Sequence, residues 1–219
     1  MRIRLFHCSL ASILRSRIFW VWVLLGCVPD GWAQTEDRFR LFRAADGMKE
    51  SAVTAVSFSP RGNLWLKHPN ASEISVFDGH AFHTLPTPGT NDYRVHESRS
   101  GQLWSLAPDG LVLYDGRQWV RHPLPDIRDE IAADPMRPIR QIPVVPADRD
   151  RVFFLLSDRL MEYDAARRQS QVIRRVTETG LGRFNEMIES RETNIWITGQ
   201  NGVMRLAGPM RHVTRASEW

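Results

Sequence analysis

A repeated unit constrains this chain more than any other feature. One copy runs Gly62-Asn63-Leu64-Trp65-Leu66, then Ile74-Ser75-Val76-Phe77-Asp78-Gly79, then Ala81-Phe82-His83. A second runs Gly101-Gln102-Leu103-Trp104-Ser105, then Asp109-Gly110-Leu111-Val112-Leu113-Tyr114-Asp115-Gly116, then Gln118-Trp119-Val120. A weaker third is Arg151-Val152-Phe153-Phe154 with Leu160-Met161-Glu162-Tyr163-Asp164. The fourth is Asn194-Ile195-Trp196-Ile197 with Asn201-Gly202-Val203-Met204-Arg205-Leu206-Ala207-Gly208. Trp65, Trp104, Phe153 and Trp196 are equivalent positions, 39, 49 and 43 residues apart. From each to the later Asp (Ala207 in the last copy) the distance is 13, 11, 11 and 11. Near-constant inner spacing means a fixed hairpin, and variable outer spacing means connections of different length. A period of about 40–45 residues with several short strands per unit is that of β-propeller blades.

The local chemistry agrees. Val53-Thr54-Ala55-Val56-Ser57-Phe58 is an apolar strand, Ser59-Pro60-Arg61-Gly62 a turn, and Asn63–Lys67 the strand that follows. Asp78-Gly79 and Asp115-Gly116 read as two-residue hairpin turns, since glycine accepts the positive φ such turns need. Leu64 and Leu66 face one side of their strand and Trp65 the other, so both faces are apolar. A sheet sandwiched between neighbouring blades needs that pattern. The fold class is therefore all-β: about four propeller blades, a complete or a partial ring, near residues 50–90, 91–125, 140–178 and 183–215 of a segment spanning 34–219. Arg38–Phe42 could add a closing strand to the last blade.

The first 33 residues are different. Arg2, Arg4, Arg15 and Arg17 precede the apolar run Ile18–Val28, then come Pro29, Gly31 and the triplet Gly31-Trp32-Ala33. That order is a secretory signal peptide, residues 1–33, with cleavage after Ala33. Two alternatives are an uncleaved anchor and lipidation at Cys27, within Leu24-Leu25-Gly26-Cys27, although Leu25 is atypical for a lipoprotein box. The whole chain has 29 basic and 25 acidic residues, and removing four Arg and Asp30 with the leader leaves 25 and 24. The apparent basicity then disappears, and nucleic-acid binding is not expected. Cys8 and Cys27 both lie in the leader, so the exported part has no disulfide, thiol nucleophile or cysteine metal site.

The pattern DG(L/M)…V…(S/D)xxGxLW…DGLxxYDGxxW is carried by Asp46-Gly47-Met48, Val53, Gly62–Trp65, Phe77–Gly79, Gly101–Trp104 and Asp109–Gly116. It is similar to the two-component regulator propeller repeat and covers about residues 37–213. The resemblance implies a periplasmic, ligand-binding propeller of a bacterial signalling receptor. In that family a β-sandwich, a membrane helix and a histidine kinase or diguanylate cyclase usually follow. These 219 residues carry no second apolar span and no kinase or cyclase motif. The chain therefore reads as the sensory part without its output domain, with membrane attachment only through the leader or a downstream helix. Homodimerisation would come through domains not present in it.

No catalytic constellation stands out, and no cofactor or metal is expected. His80 and His83 are placed by their spacing on opposite strand faces, and Glu186, Glu189 and Glu192 on edges and turns. The stretch 122–148, rich in proline, reads as an exposed inter-blade loop with one helical turn at Asp129–Ala133. A small-molecule or glycan ligand is expected where loops converge at one end of the central channel. The candidates lie between second and third strands: His68 and Asn70, Asp109, Arg159, Gln200 and Asn201. The alternatives are a secreted propeller enzyme (a lyase or glycan hydrolase), which would need ionisable side chains converging there, and a non-functional receptor fragment. Sequencing the amino terminus of the exported protein is expected to read from Gln34, and a lipid-modified Cys27 at that end would overturn the cleavage assignment.

Overall fold

The structure is a computed structural model that describes residues 39–89, 94–134, 142–147, 150–190 and 194–216. The leader, its cleavage site and Cys27 lie outside the described residues. From Phe42 onward the chain forms one compact unit. It consists of four antiparallel sheets arranged as the blades of a β-propeller. Blade 1 is β1 (Ala55–Phe58), β2 (Leu64–Lys67), β3 (Glu73–Phe77) and β4 (Phe82–Pro86). Blade 2 is β5 (Val95–Glu97), β6 (Leu103–Ala107), β7 (Gly110–Tyr114) and β8 (Trp119–Pro123). Blade 3 is β9 (Val144–Pro146), β10 (Arg151–Leu155), β11 (Arg159–Asp164) and β12 (Gln169–Arg175). Blade 4 has three strands, β13 (Phe184–Glu189), β14 (Ile195–Gly199) and β15 (Gly202–Leu206). Within each blade the strands pair in sequence order, and β1, β5, β9 and β13 lie innermost, each against the next.

The repeat seen in the sequence is a repeat of hydrogen bonds. Between the first two strands of every blade one backbone bond closes the turn: Ser59 N to Asn63 O, Ser98 N to Gln102 O, Ala147 N to Arg151 O and Ser190 N to Asn194 O, all at 2.8–2.9 Å. Gly62 and Gly101 occupy the same place in that turn at φ 91° and 89°. Blade 3 has no glycine there, and Asp150 takes the left-handed conformation at φ 61°. Such a conformation costs a non-glycine residue on the order of 1 kcal/mol, and Asp is among the residues that tolerate it best. That substitution is one reason the third unit reads weakly in sequence.

The outer hairpin turns differ from expectation by one residue. Asp78 N bonds to Ala81 O and Asp115 N to Gln118 O, so the loop residues are Gly79-His80 and Gly116-Arg117, flanked by the aspartates. Gly79 and Gly116 hold φ at 99° and 97°. The Asp78 carboxylate accepts the N–H groups of Ala81 and His80, and His83 adds to it, which together hold its pKa well below the usual carboxylate range. Two further differences concern connections. Residues 39–42 form no closing strand, and Phe42 instead packs on Phe77 and Phe82 of blade 1 at 5.2 and 5.4 Å. The proline-rich stretch contains a nine-residue helix, α1 (Pro125–Ala133), not a single turn. Pro125 sits at its start, where its missing N–H costs nothing, and Ile127 and Ile131 face inward one turn apart.

The core is not one cluster but three seams between neighbouring blades. Trp65, Ile74 and Val76 of blade 1 meet Val95 and Leu103 of blade 2. Trp104, Leu106 and Leu111 of blade 2 meet Val144, Val152 and Phe154 of blade 3, with α1 adding Ile127. Phe153, Leu155 and Leu160 of blade 3 meet Met187, Ile195 and Ile197 of blade 4. The repeated aromatic is therefore the residue each blade offers to the next one. Full burial of one apolar side chain contributes roughly 1.5–3 kcal/mol. With five buried residues against twelve and thirteen, the first seam is much the weakest in apolar terms.

A polar clasp reinforces that seam. The buried carboxylate of Glu97 accepts Asn63 Nδ2 at 3.0 Å, Trp65 Nε1 at 3.1 Å and Arg61 Nη1 at 3.3 Å, all from blade 1. The position equivalent to Glu97 in blade 3 is Pro146, and the indole N–H of Trp104 correspondingly has no hydrogen-bond partner. In the second seam Gln102 instead donates to Asp150. Glu97→Ala strands the buried indole N–H of Trp65 and the Asn63 amide, so a loss of about 2–4 kcal/mol is expected. Urea denaturation checks this, with Glu97→Gln losing less because it keeps an acceptor oxygen.

Candidate binding surfaces

The loops between second and third strands lie where the sequence placed them, but the chain uses them unequally. His68 is fully buried in the loop after β2, with Nδ1 2.7 Å from Ala52 O and Nε2 2.7 Å from Ser75 Oγ. It ties residues 42–52 onto blade 1, where Met48 is also buried and Lys49 N donates to Ser75 Oγ. Asn70, in the same loop, is exposed. Asp109 is partly exposed, pairs with Arg121 at 3.2 Å, and its carbonyl accepts Leu124 N at 2.8 Å. Gln200 and Asn201 are exposed at the tip between β14 and β15, and Asn201 Nδ2 reaches Gly180 O at 3.4 Å. Among the described residues the six candidates share no hydrogen bond or ion pair with one another.

Arg159 is held by a feature that the sequence reading missed. The carboxylates Asp126, Glu130 and Asp134 recur every four residues along and just past α1. Asp126 Oδ1 accepts Arg159 Nη2 at 2.8 Å, and Glu130 accepts Ser157 N at 2.9 Å and its Oγ at 3.1 Å. Asp134 accepts Arg183 Nη2 at 2.7 Å. Arg159 also pairs with Asp158 at 2.7 Å. Burial works against its charge, but hydrogen bonds to Asp126 and Asp158 outweigh that and raise its pKa. The helix therefore straps the loop ends of blades 3 and 4, with Arg159 as its anchor. The spacing 126, 130, 134 was the readable signal.

A hollow of about 400 Å³ lies elsewhere, on the outer half of the blade 3 face turned toward blade 4. The first two seams are bonded out to their outer strands: Trp119 Nε1 of β8 donates to Pro86 O of β4 at 2.7 Å, and His122 of β8 meets Tyr163 Oη at 2.8 Å. Blade 4 ends at its third strand, and residues 210–215 take up only part of the remaining space. Met210 and Val213 are buried in the seam, and Thr214 borders the hollow. Glu162 is nearly buried at its floor, accepting Arg151 Nη1 at 2.9 Å and Gln171 Nε2 at 2.6 Å. Asp164 and Arg167 pair at 2.5 Å beside it. Every lining side chain is polar, and the groove continues past Gln171 toward Arg175 and Glu178.

Among the described residues no group of three His, Cys, Asp or Glu side chains is placed to hold a metal ion. No helix among them is long and apolar enough to cross a membrane. His122 and Tyr163 lie inside the second seam beside Trp104, away from the groove.

No protein-family model matches the chain, and no curated protein does. Solved structures that are similar include the extracellular domain of a hybrid two-component system of B. thetaiotaomicron, with 12% identity and TM-score 0.48 over 75% of this chain and 22% of that one. YCF48 bound to D1 peptide is similar at 14% identity and TM-score 0.48, over 70% and 50%. Streptogramin B lyase is similar at 11% identity and TM-score 0.44, over 70% and 53%. The chain thus spans about a fifth to a half of these proteins. None of their activities passes to this chain at such identities.

Two histidines give the protein an acid limit. Desolvation of the His96 ring, with the Arg94 guanidinium nearby, pushes its pKa down to about 4 from 6.5. Burial also lowers the pKa of His122, with Arg168 adding to it. Both are held neutral in the fold, so below the unfolded value the unfolded chain binds more protons. Stability is fully present above pH 6.5 and is lost as pH falls toward about 4. Thermal melts across that window are expected to show the decline, and His96→Asn should flatten it.

Proposed function

We propose that this chain is a non-catalytic recognition propeller outside the cytoplasm, binding a polar ligand of glycan type in the blade 3 groove. The observation that carries the reading is the groove itself. Its floor is a nearly buried carboxylate, Glu162, flanked by Arg151 and Gln171 in fixed hydrogen-bonded geometry. Planar, oriented donors and acceptors of this kind match a ring of hydroxyls, which offers both functions along one face. The leader pattern and the resemblance to receptor propeller repeats support placing the module on the receiving side of a signalling system. Its output would then be made by other domains or by a partner.

The loop face is the competing location. Calorimetric titration with a panel of neutral and uronic-acid oligosaccharides distinguishes the two. Binding that weakens about tenfold or more in Gln171→Ala, an order that one or two lost hydrogen bonds supply, is the expected result. Asn70→Ala and Gln200→Ala should leave it unchanged. Binding abolished by the loop variants and indifferent to Gln171 would move the site to the loop face.

A further inference from the structure

The tips between second and third strands correspond residue by residue in blades 2 and 4. Gly199 pairs with Gly202 across the β14–β15 tip as Ala107 pairs with Gly110 across the β6–β7 tip, so Asn201 stands where blade 2 has Asp109. The glycine that follows holds nearly the same backbone in both, with φ 152° at Gly202 and 156° at Gly110. Of the six asparagines in the chain, Asn201 alone precedes a glycine; the others precede Leu64, Ala71, Asp92, Glu186 and Ile195. At those five a Cβ on the next residue crowds the approach of its backbone nitrogen to the side-chain amide. At Asn201 there is none.

The amide is open to water and loosely held. Asn201 and Gly202 are both exposed. The Asn201 side chain lies over Gly182, where a Cβ would come within 3.0 Å of Nδ2 and 3.2 Å of Cγ. Nδ2 donates to Gly180 O at 3.4 Å, and Oδ1 has no hydrogen bond among the described residues. The backbone around it is fixed by contrast. Gln200 N donates to Arg183 O at 3.0 Å and Asn201 N to Leu181 O at 2.9 Å. These two bonds fasten the tip to the connection between blades 3 and 4, whose Leu181 is buried in the third seam and whose Arg183 is held by Asp134.

We propose that Asn201 is a self-modification site, converting to isoaspartate through a cyclic imide and so releasing the blade 4 tip from that connection. The nitrogen of Gly202 bonds to Asn201 Cγ as the Cγ–Nδ2 bond breaks, and the Gly202 N–H proton leaves with Nδ2 as ammonia. Water then opens the imide, and no oxidant or reductant is needed. Attack of water at Cγ gives aspartate, the residue that blade 2 already carries at the equivalent place. Attack at the main-chain carbonyl carbon breaks its bond to Gly202 N and gives isoaspartate. The chain then runs through Cβ and Cγ, one carbon longer, with the new carboxylate left on Cα. A two-residue tip between the paired Gly199 and Gly202 has no slack for that carbon, so the bonds to Leu181 O and Arg183 O are not both kept.

The test is to hold the folded chain in mildly alkaline buffer at body temperature and follow the tryptic peptide 192–205, which contains Asn194 as an internal reference. Conversion of amide to acid is expected at least about tenfold faster at Asn201 than at Asn194, the ratio that a barrier difference of about 1.4 kcal/mol gives. Fragmentation of the product should show the isoaspartyl linkage at position 201. The aged protein is expected to lose hydrogen-exchange protection at the Gln200 and Asn201 N–H groups. Asn201→Asp, which has the charge without the added carbon, should keep both, and Asn201→Gln should age unchanged. Conversion no faster at Asn201 than at Asn194 overturns the proposal, and so does conversion that requires an unfolded chain. Aged protein that keeps both protections, or Asn201→Asp that loses them when fresh, overturns the release of the tip.

Discussion

Every blade depends on the seam with its neighbour. An isolated four-stranded sheet with apolar side chains on both faces has no stable state of its own in water. Stability here is shared between blades through three separate clusters and not gathered in one centre. The aromatic at the second strand is the common element, but each seam completes it differently. The first uses the Glu97 clasp, the second the buried Trp104 ring with α1, and the third the apolar cluster around Phe153. A repeat protein of this kind behaves as a chain of units coupled to nearest neighbours.

The repeat and its turns were legible because they are local. In blades 1 to 3 a Ser or Ala, a residue in positive φ and an aromatic three positions later recur at fixed offsets, and the same backbone bond closes the turn in all four blades. What sequence could not show are partners brought from a distance. His68 looked like a loop histidine, yet Ala52 and Ser75 enclose it. Arg159 looked available, yet Asp126 from the connection before blade 3 holds it. The prolines around α1 hid a helix whose acidic spacing was visible all along. The groove had no sequence signature, because it exists only where blade 4 stops at three strands while blade 3 has four.

Loop face and groove also differ in what they can do. The loops are fixed by α1 and by backbone bonds, which makes a rigid rim with exposed amides at Asn70, Gln200 and Asn201. The groove has a nearly buried charged floor and a wall formed by the segment after the last strand. Enclosure and fixed polarity favour selective binding there over the open rim.

That wall has a consequence for dynamics. Among the described residues blades 2 and 3 are each gripped on two sides and blades 1 and 4 on one, with residues 42–52 fastened to blade 1 and Met210 and Val213 to the third seam. Thr214 lies past the last strand and yet borders a hollow whose floor belongs to blade 3. A molecule seated between them would act as a bolt across that joint, quieting the terminal segment when present and releasing it when absent. Occupancy would then be reported as a change in mobility at the end of the array, with no rearrangement of the blades themselves.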